Sequence, residues 1–121
     1  MRHRNAGRRL GVNTPRRTAM MRQLVTQLMQ YGRIQTTAAR AKELRRVAER
    51  VITLSKRVTP AQLEDLQGDE LTQALSRRVH AIRMARRWVT DRDVLQQIFS
   101  EYSTRYAARP GGYTRILKIG R

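Results

Sequence analysis

Few residues of this 121-residue chain are equipped to make or break bonds. Cysteine is absent, so there is no thiol nucleophile, thiolate metal site or disulfide framework. The two histidines stand apart: His3 lies in a basic stretch and His80 on a polar helical face. Neither has a carboxylate close to it in sequence, and a lone histidine among arginines contacts nucleic acid or solvent more readily than it catalyses. Asp91 and Asp93 would be a start for a metal site. They stand where a helix begins, however, and carboxylates there cap the helix and favour its positive end. No phosphate-loop or dinucleotide fingerprint is present. The residues therefore predict no enzyme, no cofactor, no metal and no small-molecule substrate.

Arginine carries the chemistry instead. Lys and Arg total 26 against 9 acidic residues, a formal net charge of +17, and Arg outnumbers Lys 23 to 3. Ten basic residues and no acidic one precede Glu43. A genome rich in arginine codons would account for the ratio but not for the clustering. The guanidinium is planar, weakly hydrated and able to grip phosphate through two N–H groups, which suits nucleic acid better than a lipid surface. Apolar runs fall far short of the ~20 residues that cross a bilayer, and no signal-peptide core follows the basic start, so neither membrane nor secretion is expected. A histone-like DNA-compacting role is favoured by charge alone; no metal finger, basic zipper or recognition helix supports it. Arginines spread over tail, helices and loop suit a folded RNA surface.

The elements that position these charges follow from periodicity. Residues 1–13, with Arg2, Arg4, Arg8 and Arg9, have no helical or strand period and read as a basic tail that orders on a polyanion. Fully extended it would span about 43 Å at ~3.3 Å per residue. Thr14-Pro15 opens a helix with Met21, Leu24, Val25, Leu28 and Met29 on one stripe, closed by Gly32. Residues 33–36 read as a short strand around Ile34. Thr37 caps a second helix, about Ala38 to Lys56, which buries Ala41, Leu44, Ala48, Val51, Ile52 and Ser55. Its opposite side carries Lys42, Arg46, Arg50 and Arg57, with Glu49 placed to pair with Arg45 or Arg46.

Residues 58–70 hold four of the nine acids and read as a surface insertion containing a helical turn. Asp69 is the expected cap of a third helix that runs to Trp88 or Val89. Its stripe of Leu71, Leu75, Ile82, Ala85 and Val89 is interrupted by Arg78 and Arg86. Thr90 or Asp91 caps a fourth, with Val94, Leu95, Ile98, Phe99 and Tyr102 at helical spacing. A Gly-Gly loop at 111–112 precedes a strand, Tyr113 to Ile119, expected to pair with the segment near Ile34. Tyr106 and Tyr113 would either stack on a base or pack on the core. The fold class is thus α+β: one domain over 14–121, about four helices and a small sheet, behind an extended basic tail.

The sequence resembles the bacterial-type large-subunit ribosomal protein seventeen family. The resemblance rests on Met1-Arg2-His3-Arg4 with Gly7-Arg8, and on Gly32-Arg33-Ile34-Gln35-Thr36-Thr37. It continues through Ala41-Lys42-Glu43-Leu44-Arg45 and Ile52-Thr53-Leu54-Ser55-Lys56, and ends with Arg109-Pro110-Gly111-Gly112-Tyr113-Thr114-Arg115-Ile116-Leu117. It implies a structural, non-catalytic α+β protein bound to large-subunit ribosomal RNA near the exit tunnel, beside other ribosomal proteins. By motif it implies RNA contacts at Arg2, His3, Arg4, Arg8, Arg9, Thr37, Lys42, Arg109 and Arg115. Arg16, Arg17, Arg33 and Arg40 join them on charge and position. Residues 58–70 look like added length, and the family's last apolar strand has no counterpart before Arg121. Both departures keep an organellar ribosome open beside the bacterial cytoplasm.

Overall fold

Helix boundaries follow their caps. The computed structural model describes residues 3–4 and 6–120. Helix α1 spans Thr14–Tyr31. Its cap is Asn13, one residue before the expected Thr14-Pro15 start: the Asn13 Oδ1 accepts the Arg16 N–H at 3.1 Å, and Pro15 lies in the first turn. Gly32 ends it at φ 80°, its N–H bonded to Leu28 O at 2.8 Å. Helix α2 spans Ala38–Ser55 with Thr37 as cap, and the short α3 spans Pro60–Glu64 behind a Thr59/Gln62 capping box. Helix α4 spans Asp69–Ala85. Gly68, with no side-chain cap, precedes it, so Asp69 sits in the first turn and is not the cap expected. Asp91 settles the open choice at α5 (Arg92–Gln97): its Oδ1 accepts from the N–H groups of Asp93 and Val94, as capping carboxylates do. From α5 the rod continues through a π-helical turn, Ile98–Tyr102, into α6, Ser103–Arg105.

The core forms around α2, which packs against α1, α4 and the π turn. It buries Leu44, Ala48, Val51, Ile52, Leu54 and Ser55. Helix α1 brings Met21, Val25 and Met29, and the rod brings Val94, Leu95, Ile98, Phe99 and Tyr102. Helix α4 differs from expectation. Its buried residues are Ala74, Ala81 and Ala85, whereas Leu75 and Val79 remain 43% and 45% exposed. Alanines let two helix backbones approach closely, so the small face turns to α2 and rotates the larger side chains outward. The helix also stops at Ala85, before Trp88; residues 86–88 form a turn that delivers the buried Val89. Residues 58–70 begin with the buried pair Val58 and Thr59.

The expected sheet is absent: the described residues contain no strand, so the α+β reading is corrected to an all-helical body. The segments near Ile34 and after Tyr113 do not pair. Alternating side chains make a ladder only where a second strand and a buried face are available. Here Leu117 and Ile119 stay 73% and 70% exposed, and Ile34 packs on the helical core. The Thr114 N–H bonds instead to a side chain of α2, at Glu49 Oε1.

Tyr102 links the rod to α1, its hydroxyl donating to Met29 O at 2.6 Å. Burial pushes this phenol above its ordinary pKa. The folded protein therefore holds the proton more tightly than the unfolded chain does. The associated stability is complete below about pH 10 and falls away as pH rises through the folded value. Tyr102→Phe is expected to cost about 1 kcal/mol near neutral pH and to flatten the alkaline decline, as read by urea unfolding at pH 7 to 11. Ala81→Leu, which overpacks the contact with α2, is expected to cost ~1–3 kcal/mol. Leu75→Ala should stay within about 1 kcal/mol of the parent.

Candidate nucleic-acid interface

Two basic segments are attached to α2, one toward each end. At the amino-terminal end, Arg8 Nη1 donates to Ala39 O at 3.4 Å. A Cβ built on Gly7 would lie 3.9 Å from the Glu43 carboxylate. Leu10 packs on the core, and the half-buried Arg17 donates to Val12 O at 3.5 Å and Thr14 Oγ1 at 3.2 Å. These contacts turn residues 7–12 back over the start of α2. The arm is anchored to the body before it presents its charges.

Toward the other end, Lys56 and Glu49 hold the Gly-Gly loop. Lys56 Nζ donates to Arg109 O and to the Tyr113 hydroxyl, the latter at 2.7 Å, and lies 4.8 Å from the Tyr113 ring centroid. Glu49 Oε1 accepts from Thr114 N–H at 3.3 Å and from Thr114 Oγ1 at 3.1 Å. Seven residues are about two helical turns, so both reach the loop from one side of α2. Gly112, at φ 63°, takes a conformation that favours glycine. The tyrosines left open between stacking and packing both lie on the core. The Tyr106 ring is 6.2 Å from that of Tyr102 and 5.3 Å from that of Tyr113.

The expected contact residues fall into three groups. His3, Arg4, Arg9, Arg16, Arg33, Arg40, Lys42, Arg109 and Arg115 are exposed. Arg8 and Arg17 are engaged by the protein as described, and Thr37 caps α2 by accepting the Arg40 N–H. Arg2 lies outside the described residues. Along α2, Lys42, Arg46 and Arg50 form an exposed row, and Arg57, just past the end of the helix, is exposed as well. Sequence reasoning missed the clasp. Glu49 was expected to pair with Arg45 or Arg46, yet the ion pair found among the described residues is Arg105–Glu101. The i, i+7 spacing of Glu49 and Lys56 was the available signal, but it does not say what lies opposite.

Among the described residues no cluster of His, Asp or Glu is placed to hold a metal ion, and no helix is long and apolar enough to cross a membrane. The arrangement defines a class: a small, strongly basic helical protein in which one helix holds an arm and a glycine loop. Residues 20–121 match the family described as Ribosomal protein L17. The chain is 47% identical over 120 residues to the large ribosomal subunit protein bL17 of Syntrophotalea carbinolica, covering 99% of this chain and 65% of that one. With the proteins of the same name from Myxococcus xanthus and Geobacter sulfurreducens it shares 44% and 46% identity, again over 99% of this chain. These alignments cover 73% and 58% of the two relatives. It thus spans roughly two thirds of the length of the curated relatives it matches. The chain belongs to the ribosomal protein L17 family, and the expected resemblance to a ribosomal, non-enzymatic family is met.

Breaking the clasp is expected to free the loop without unfolding the body. In Glu49→Ala or Lys56→Ala, tryptic cleavage at the exposed Arg115 should accelerate about tenfold, the order expected for losing hydrogen bonds to a charged group. The thermal midpoint should move by only a few degrees.

Proposed function

We propose that the chain is a structural constituent of the large ribosomal subunit that binds ribosomal RNA through its basic arm, the cationic face of α2 and the Gly-Gly-Tyr loop. One observation carries this reading: α2 anchors the arm through Ala39 O and the loop through Glu49 and, at its C-cap, Lys56, with Lys42, Arg46 and Arg50 exposed along the helix between Ala39 and Lys56. From Lys42 to Arg50, about 12 Å of helix at 1.5 Å per residue thereby offers phosphate ligands along one line. A net charge of +17 supplies the affinity through counterion release, and the fixed helix supplies the direction. The names of the relatives support the large subunit as the site of assembly, and their bacterial sources support the bacterial cytoplasm. The family resemblance adds a position near the exit tunnel, beside neighbouring ribosomal proteins. Within this reading the contacts are Arg2, His3, Arg4, Arg8, Arg9, Arg16, Arg33, Arg40, Lys42, Arg109 and Arg115. Arg17 and Thr37 hold the junctions from which these project.

Sedimentation tests the assembly: the chain is expected to run with large subunits at low salt, and a mostly free chain would refute the proposal. Binding to large-subunit RNA should fall steeply with salt, by about 0.7–0.9 log units per log salt for each phosphate engaged. Deleting residues 1–13 should make that slope shallower by several phosphates, whereas an unchanged slope would remove the arm from the mechanism.

A further inference from the structure

Away from the arm and loop, an open groove of about 800 Å³ lies where the end of α2 and α3 meet α4. Its lining includes the buried Val58 and Ala74 and the half-buried Leu66, an apolar surface with no side chain of the described residues filling the space above it. Arg57 borders it after α2, and Arg77 and His80, three residues apart and so on one side of α4, border it there. Asp65 lines it from the end of α3. All four of these polar residues are exposed.

The distribution of charge selects an occupant. A basic peptide would meet Arg57 and Arg77 as like charges, and a purely apolar segment would leave the polar border unmatched. A nucleotide satisfies both parts. Its phosphate is repelled by Asp65 and drawn to Arg57, Arg77 and His80. Its base covers Val58, Leu66 and Ala74, stacks against a guanidinium plane, and offers N–H groups to the carboxylate. We infer that this groove seats an unpaired nucleotide of the bound RNA, base toward α3 and phosphate toward α4. The inference rests on the RNA-binding reading above and adds to it a second site, remote in sequence from the arm.

The test uses the full chain and large-subunit ribosomal RNA transcribed with 4-thiouridine, irradiated and mapped by peptide mass. Adducts within residues 57–80, lost in Ser76→Trp, are expected, since Ser76 lines the groove and an indole there would occupy it. The same substitution should weaken binding about tenfold, the order of one stacked base. Arg77→Ala, which removes a phosphate partner and leaves the groove open, should lower the slope by about one phosphate. Adducts confined to the arm, α2 and the loop would overturn the groove and leave the proposed function standing. Absence of RNA binding by the parent chain would overturn both. Adducts from a crosslinker placed at Ser76 that reach only a neighbouring protein in assembled subunits would replace the nucleotide with a protein partner.

Discussion

Helix α2 must be dry on one side and charged on the others, and the rest of the molecule is arranged to keep it so. Leu44, Ala48, Val51, Ile52 and Ser55 lie in the core while Lys42, Arg46 and Arg50 stay in water. An 18-residue helix standing alone would have little to hold it together beyond marginal propensity. Packing of α1, α4 and the π turn against its apolar side supplies the missing stability. The cationic row is straight because the opposite side is fixed.

Charge works against this compactness. A net charge of +17 repels itself in the folded state, and the described residues offer little internal relief, the Arg105–Glu101 contact being exposed and of small worth. Two of the few acids are used differently. Glu49 binds the Thr114 backbone and hydroxyl, and Asp91 caps α5, so each carboxylate orders a chain segment, and among the described residues neither is ion-paired with an arginine. The positive field therefore faces outward; under the proposed function, a bound polyanion would stabilise the fold by mass action.

The π turn connects the core to the loop. The Ser103 N–H reaches Ile98 O, five residues back, and the wider turn keeps Ile98, Phe99 and Tyr102 all buried. Tyr102 then meets Met29 O, and its ring adjoins Tyr106, which in turn adjoins Tyr113. A chain of three aromatic rings thus leads from the helical body to the segment held by Lys56. π turns often mark functional positions, and here the turn sets where the backbone leaves for Gly111-Gly112.

Much of this was legible in the residues themselves. Local rules act within a few positions, so the stripes of α1, α2 and the rod, the Gly32 stop, the Thr37 cap and the cationic row on α2 all follow from spacing. So does the basic character, since it depends only on which groups are present. The neighbour of a residue is another matter. Alanines won the α4 contact over Leu75 because the distance to α2 was set by both helices together. Glu49 and Lys56 found partners more than fifty residues away, and the segment after Tyr113 was held by side chains in place of a second strand. Pairings of that kind depend on which surfaces the assembled helices bring within reach, and no periodicity along one segment contains that distance.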